Sequence, residues 1–138
     1  MATTAYSNTP LARKLGIKEG FIIEVINAPA HYYELFTDFP AGVIKSADRK
    51  VKKNFIHYFT KDAKQLHKDI KSLRDSIEQD GIIWISWPKK AAKIATDITE
   101  DIIRTFALQN GLVDIKVCAV DDVWSGLKLV IPVKERKK

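Results

Sequence analysis

Residues 81–86 read Gly-Ile-Ile-Trp-Ile-Ser, and this apolar run decides the fold class. It follows residues 62–79, where apolar side chains recur at helical spacing among lysines and aspartates. Gly81 ends that predicted helix, and the run after it is too apolar for a strand with one face in water. A helix that leads into a strand covered on both faces is typical of a parallel sheet between helical layers. The apolar helix positions are Leu66, Ile70, Leu73 and Ile77.

The same alternation extends toward both ends of the chain. Upstream, Pro10 suits the start of a short helix that ends at Gly16. Downstream, Asp97 and Glu100 resemble a capping box, which predicts a helix that ends at Asn110. The further predicted segments are a helix at residues 31–36 and strands at residues 21–26, 43–44, 54–59, 82–86, 113–120 and 127–133.

Residues 121–126 join the last two predicted strands. So short a link cannot cross over the sheet, which makes these strands an antiparallel hairpin. Pro132 cannot donate to a ladder, so the last strand lies at an edge or ends early. The pattern predicts an α/β fold: a three-layer, Rossmann-like, mostly parallel sheet, truncated, with a C-terminal antiparallel hairpin. We expect one domain over residues 1–133 and a charged tail over residues 134–138.

Composition excludes several classes of protein. The chain has 138 residues, which is enough for a hydrophobic core without disulfide or metal cross-links. Its single cysteine excludes internal disulfides and a Cys-based zinc site. No apolar run approaches the roughly 20 residues that span a bilayer. Residues 1–6 lack the pattern of a secretory signal. We therefore expect a cytoplasmic protein without membrane contact.

Two basic segments account for the net charge of +6. Residues 45–53 carry five basic side chains and one aspartate, and residues 134–138 carry four basic side chains and one glutamate. Weak contact with nucleic acid is one interpretation of such segments. An exposed, solvated loop and a solvated tail are the favoured interpretation, because no nucleic-acid motif accompanies them.

Several segments carry a resemblance to known proteins. Residues 81–86, the amphipathic helix after them, residues 110–114 and the returning hairpin strand look like the closing half of a class I S-adenosylmethionine-dependent methyltransferase. More specifically, the chain resembles a family of small bacterial proteins known as domain of unknown function 3052. That resemblance implies a fold but no established activity, so it carries over no catalytic residue. The segments that carry it are residues 6–16, 27–29, 84–90, 96–101 and 117–131.

The departures from the methyltransferase pattern concern the cofactor. That family follows its first strand with a glycine-rich turn, whereas residues 24–29 read Glu-Val-Ile-Asn-Ala-Pro. Pro29 also removes a backbone donor where one is wanted. Asp48 lies about 20 residues after this turn, the offset of a ribose-binding acid, but within the lysine-rich loop. The middle of the chain is short, which indicates a lost or reduced strand–helix unit, and we expect no cofactor.

Ligands of open parallel sheets bind beyond the carboxyl ends of the strands. Tryptophan and lysine together at that edge suit a small, flat anionic ligand, held by stacking and charge. The alternative is that Trp87 and Trp124 plug the end of the sheet while Lys89 and Lys90 are solvated. His31 is the one histidine near this edge and could titrate near neutrality. The candidate ligand-binding residues are Asn27, His31, Ser86, Trp87, Lys89, Lys90, Trp124 and Ser125.

No metal site or catalytic set is recognisable in the sequence. The histidines lack metal-ligand spacing, and His57 suits a satisfied position in the core. Cys118 suits a buried, inert thiol, and Asp121 with Asp122 suits a solvated turn.

The sequence therefore favours a small-molecule-binding or accessory protein with a degenerate cofactor turn, and it is compatible with a homo-oligomer. One alternative is an S-adenosylmethionine-dependent methyltransferase with an atypical site. Another is a basic module that associates with nucleic acid.

Overall fold

The protein folds around one mixed β-sheet in the computed structural model, which describes residues 9–137. Residues 1–8 and Lys138 lie outside the described part. The prediction that residues 1–6 form no secretory signal, and the first residues of the resembling segment 6–16, therefore fall outside the described residues. The strands are β1 (Ile22–Ile26), β2 (Ile44–Lys45), β3 (Lys53–Phe59), β4 (Ile77–Pro88), β5 (Val113–Ala119) and β6 (Trp124–Val130). The helices are α1 (Leu11–Leu15), α2 (Ala63–Asp75) and α3 (Glu100–Gln109), with 3-10 turns at Tyr32–Leu35, Lys90–Ala92 and Val133–Glu135.

The sheet has the strand order β2-β1-β3-β4-β6-β5. Strands β2, β1, β3 and β4 are parallel, and β6 runs antiparallel between β4 and β5. The predicted mostly parallel sheet and its C-terminal antiparallel hairpin are therefore confirmed. The chain leaves β1 for β2 on one side and then crosses to β3 on the other, so the strand order reverses between β1 and β3. Such a reversal is where open α/β sheets form a crevice for ligands.

The two faces of the sheet are covered unequally. Successive side chains of a strand point to opposite faces, so Ile83 and Ile85 of β4 face α2 and α3, where the larger core cluster lies. Trp84 faces the other side, where its Nε1 donates to the carbonyl oxygen of Leu15 in α1 at 2.8 Å. The five-residue α1 and the turn at Tyr32–Leu35 form this third, thin layer.

The junction between α2 and β4 differs from the prediction. α2 ends at Asp75, not at residue 79, and β4 begins at Ile77 rather than residue 82. A bulge at residues 78–81 follows, and a Cβ on Gly81 would lie 2.9 Å from Cβ of Ile77 and 3.1 Å from the carbonyl oxygen of Lys53. Gly81 thus permits a close approach within a strand instead of ending a helix. The apolar spacing missed this because Ile77 is buried in either conformation.

Strand β6 begins earlier than predicted. Trp124 and Ser125, expected in the link, already pair with Pro88 and Trp87 of β4. The strand ends at Val130, so the early end predicted from Pro132 is confirmed. The edge strand on this side is β5.

The cap of α3 also differs from the prediction. Thr99 is the N-cap residue, and its hydroxyl accepts from the backbone N–H of Ile102 at 3.2 Å. Asp97, predicted as the cap, instead accepts from the backbone N–H of Ala63 at 2.7 Å and so caps α2 from outside that helix. The sequence pattern was read correctly as capping chemistry but assigned to the wrong helix.

The sequence predicted that the basic loop before β3 is solvated, and the structure differs from this prediction. Lys53 is fully buried, and its Nζ lies 3.3 Å from a carboxylate oxygen of Glu24 and donates to the carbonyl oxygen of Asp48 at 2.7 Å. A buried ammonium needs such partners, because removing an ion from water costs several kcal/mol. Arg49 is tied to α2 by a 2.9 Å bond from its guanidinium to the hydroxyl of Ser72.

The C-terminal tail returns to the body of the domain. Nε of Arg136 donates to the carbonyl oxygen of Ile131 at 3.0 Å, and the N–H of Lys137 donates to the side chain of Gln79 at 2.8 Å. The solvated tail that the sequence predicted therefore has anchoring contacts. Among the described residues, no helix combines the length and apolar character that a bilayer crossing requires.

Candidate functional site

The carboxyl ends of β1, β3 and β4 and the start of β6 lie along one edge of the sheet, which we call the carboxyl edge. Two residues there have unusual backbone: Asn27 after β1 has φ 59° and Lys93 after β4 has φ 57°. Glycine takes such angles at no steric cost, whereas a lysine is strained. Backbone strain of this kind concentrates at functional sites, so the carboxyl edge is the first place to seek one.

His31 and Asp121 form a pair at this edge. Nε2 of His31 lies 3.1 Å from one carboxylate oxygen of Asp121, although the two are far apart in the chain. The other carboxylate oxygen accepts from the backbone N–H groups of Val123 and Trp124 at 2.8 and 2.7 Å. The His31 side chain is 51% exposed and that of Asp121 13%. Asp121 is therefore held rigidly, and it orients an imidazole that solvent can reach.

A buried polar chain runs beneath this pair. The Tyr32 hydroxyl lies 2.9 Å from Nδ1 of His57, and Nε2 of His57 lies 2.8 Å from the hydroxyl of Ser86. All three residues are at most 1% exposed. Burial lowers the pKa of His57 to about 3, so the imidazole is neutral and both ring nitrogens are used. The predicted core position of His57 is confirmed, and Ser86 is fully buried with its hydroxyl against that imidazole.

The two tryptophans of the proposed rim lie on opposite faces of the sheet. Trp87 is half-buried against the core cluster of α2 and α3. Trp124 pairs with Pro88 on the other face, and its ring meets that of Phe59 edge to face with centroids 5.1 Å apart. Consecutive positions of β4 alternate between faces, so the two rings cannot stack on one ligand. Trp87 has the packing role of the plug interpretation.

Among the described residues, the lysines and aspartates of the carboxyl edge are not paired with one another. Three of the four aspartates in these loops accept from backbone N–H groups: Asp62 and Asp97 cap α2, and Asp121 holds the hairpin turn, whereas Asp122 is exposed. Within residues 9–137, no ion pair or side-chain hydrogen bond involves the ammonium groups of four lysines in the same loops. These lysines are Lys61, Lys89, Lys90 and Lys93.

The remaining predicted candidates differ in how exposed they are. Asn27 and Lys90 are exposed at the edge, and Lys89 is half-buried with its N–H bonded to the carbonyl oxygen of Val123 at 2.7 Å. Ser125 is half-buried in the ladder opposite Trp87. Sequence reasoning placed Lys61 at this edge without naming it as a candidate, and it missed Lys93 and the role of Asp121. The last had a signal, because the side chain of an aspartate in a turn commonly accepts from the backbone N–H two residues later.

The residues after β1 do not fit the usual cofactor turn. Residues 27–43, all of them described, form a 3-10 turn and no α-helix, so no α-helix N-terminus follows β1. The Tyr32 ring fills the space against β3, edge to face with His57 and Phe59. Asp48 is exposed, and its carboxylate accepts from the N–H of Lys50 at 2.9 Å, closing its own turn. The predicted departure from the methyltransferase pattern is therefore visible in the geometry of these residues.

Two open clefts lie away from the carboxyl edge. One of about 720 Å³ is at the amino ends of β1 and β2, between α1 and residues 38–41. Another of about 410 Å³ lies beside α2, with Arg49 and Ser72 in its wall. In the part of the chain that is described, no three histidine, cysteine, aspartate or glutamate side chains are grouped as metal ligands.

Comparison with solved structures identifies the class of fold. A SAM-dependent methyltransferase from Aquifex aeolicus superposes with a TM-score of 0.59 at 14% identity over 88% of this chain and 87% of that one. Ribosomal protein L11 methylase from Lactobacillus delbrueckii subsp. bulgaricus gives 0.57 at 12% identity over 93% and 76%. LepI in complex with SAM gives 0.55 at 10% identity over 89% of this chain, which spans 47% of LepI.

The chain therefore has the methyltransferase-like Rossmann fold, which confirms that part of the resemblance. No protein-family profile and no curated protein sequence matches it. At these identities the likeness concerns the fold, and function has to be argued from the site.

Proposed function

We propose that this protein binds a small anionic ligand, bearing phosphate or carboxylate, at the carboxyl edge. The observation that carries the proposal is the set of four lysines whose ammonium groups have no ion-pair or hydrogen-bond partner within residues 9–137. Lysine ammonium groups are ordinary point-charge partners of phosphate. The same edge is where ligands of open α/β sheets bind.

The loops of this edge are also well ordered for binding. Lys89 is anchored by its backbone to Val123, and the 3-10 turn at Lys90–Ala92 directly follows. Thr96 donates from its hydroxyl to the carbonyl oxygen of Lys61 at 2.8 Å, which joins the loops after β3 and β4. A site that is preorganised in this way loses less conformational entropy when a ligand binds.

Three of the segments that resemble domain of unknown function 3052 meet at this edge: residues 84–90, 96–101 and 117–131. We propose on this basis that the protein belongs to that bacterial family and that the family shares the anion site. A cytoplasmic location goes with the proposal, since the single thiol of Cys118 suits a reducing compartment.

Matched double variants test the proposal. Inorganic phosphate, pyrophosphate and citrate are titrated by calorimetry into the wild type and into Lys89→Ala/Lys90→Ala. The control is Lys50→Ala/Lys68→Ala, which loses the same charge from exposed positions elsewhere. We expect at least tenfold weaker binding for the first variant and little change for the control. Equal weakening in both variants, or no binding by the wild type, would contradict the proposal.

The second candidate function is an S-adenosylmethionine-dependent methyltransferase with an atypical site. Its support is the fold shared with methyltransferases, together with LepI, which was solved with SAM. Against it stand Pro29 and the Tyr32 ring, which leave no ordinary cofactor turn. A ligand at 100 times its dissociation constant stabilises a protein by about 2.7 kcal/mol, which raises the melting midpoint by several degrees. We expect no saturable shift with S-adenosylmethionine, and a clear one would put this candidate first.

A further inference from the structure

The outer half of the sheet carries a basic surface on the side of α1. Lys116 of β5 lies directly opposite Lys128 of β6, and Lys128 lies opposite Trp84, so these lysines share the face that looks toward α1. Helix α3 covers the other face of the same two strands, where Leu127 and Leu129 join the core. On the lysine side, α1 packs on Trp84 and reaches β5 near its end, at Cys118 and Ala119, while Lys116 is exposed and Lys128 half-buried.

Two further lysines join this surface from α1 and the turn after it. Nζ of Lys14 lies 3.4 Å from the carbonyl oxygen of Ala119, at the end of β5. Lys18 is near enough to Lys128 to act on its charge: burial first, then Lys116 and Lys18, lower the pKa of Lys128. We call these four side chains, Lys14, Lys18, Lys116 and Lys128, the sheet-face lysines. Among residues 9–137, none of them makes an ion pair.

Such an arrangement is costly for the isolated protein. Like charges directly opposite each other on neighbouring strands are destabilising, and here the pair is reinforced by two more cations. An anionic partner that neutralises all four at once would convert the repulsion into binding energy.

We propose that the sheet-face lysines bind the phosphate backbone of single-stranded nucleic acid. The four cations are spread along two strands and one helix rather than gathered around a pocket, which suits a linear polyanion better than one small anion. The surface is an open sheet face, the kind of platform on which single strands are bound. Duplex recognition instead uses an element that enters a groove, which this face does not present.

The test is fluorescence anisotropy of a labelled oligothymidylate at increasing salt. Each phosphate neutralised on a single strand contributes about −0.7 to the slope of log K against log salt, so four contacts give a slope of about −2.8. Lys116→Ala/Lys128→Ala should reduce the slope by about half and weaken low-salt binding at least tenfold. The control Lys50→Ala/Lys68→Ala has the same net charge as Lys116→Ala/Lys128→Ala but should bind like the wild type. Lys89→Ala/Lys90→Ala should also keep the affinity, which separates this surface from the carboxyl edge.

Three results would overturn the proposal. One is an equal loss in all double variants, which indicates general attraction to a basic protein. Another is wild-type binding of duplex DNA or poly-glutamate as tight as that of the single strand, which indicates a different partner. The third is no binding at low salt. Thermal melts of each variant accompany the titrations, and Lys116→Gln/Lys128→Gln repeats the test if the alanine variant fails to fold.

Discussion

The Tyr32 hydroxyl lies 2.9 Å from Nδ1 of His57, so a residue of the turn after β1 bonds to a side chain in the middle of β3. His57 in turn bonds to Ser86 of β4. These three hydrogen-bonded side chains connect the thin layer to the two central parallel strands.

Stability should fall in acid because of His57. Its folded pKa is about 3, against an ordinary value of 6.5, so the unfolded chain binds a proton first as the pH is lowered. The contribution is complete above pH 6.5 and is lost progressively toward pH 3, with a slope of at most about 1.4 kcal/mol per pH unit. The free energy of unfolding, measured by urea melts across this pH range, should depend less steeply on pH for His57→Gln than for the wild type. His67→Gln, an exposed control, should keep the wild-type slope.

Removing one hydroxyl tests the same chain from its other end. Tyr32→Phe leaves a buried nitrogen of His57 without a partner, which should cost about 1–3 kcal/mol. The matched control is Tyr33→Phe, because the Tyr33 ring is 41% exposed and its contact with Lys45 needs no hydroxyl. Denaturant melts that give equal stability for both variants would show that the Tyr32 bond contributes nothing.

The buried lysine should behave differently from its exposed neighbours. Lys53→Ala leaves Glu24 without its cation and empties a buried position, so we expect a loss of about 3–5 kcal/mol. Lys50→Ala should stay within about ±0.5 kcal/mol, since its side chain is exposed. Lys53→Met/Glu24→Gln should recover part of the loss, because no unpaired charge remains. If urea melts give the same stability for Lys53→Ala and the wild type, the Lys53 ammonium is solvated and not buried.

Trp124 separates packing from ligand contact. Its ring is half-buried on Phe59, so Trp124→Ala should cost about 2 kcal/mol, below the 3–5 kcal/mol of fully buried aromatic residues. Trp124→Phe should retain most of the stability. If Trp124→Ala melts like the wild type but binds ligand less well, the ring is a rim residue and not part of the packing.

The fold was largely predictable because its main elements carry local signals. The spacing of Leu66, Ile70 and Leu73 predicted α2, and the short link before β6 predicted the hairpin. The α2–β4 boundary was not predictable, since Ile77 is buried in both the helical and the strand reading. The conformation at Gly81 depends on the carbonyl of Lys53, a residue of another strand.

The candidate site was predictable in position but not in composition. Strand order placed His31 and Lys89 at the carboxyl edge. It could not show that Asp121 would reach back to His31, because that contact depends on the exact fold of two loops. The faces of Trp87 and Trp124 followed from a register that the sequence did not define. Whether the eight candidate residues bind a ligand stays a prediction.

Lys93 makes the carboxyl edge a place where stability and function compete. Every glycine with positive φ lies elsewhere in the described chain, at Gly16, Gly20, Gly42 and Gly111, where the turn is made without strain. Glycine at position 93 would relieve strain of about 1 kcal/mol or more, and it would also delete one of the unpaired cations. Lys93→Gly should therefore give a protein that melts higher and binds anions less well. A variant that melts higher and binds anions as well as the wild type would show that the strain at this position serves no anion site.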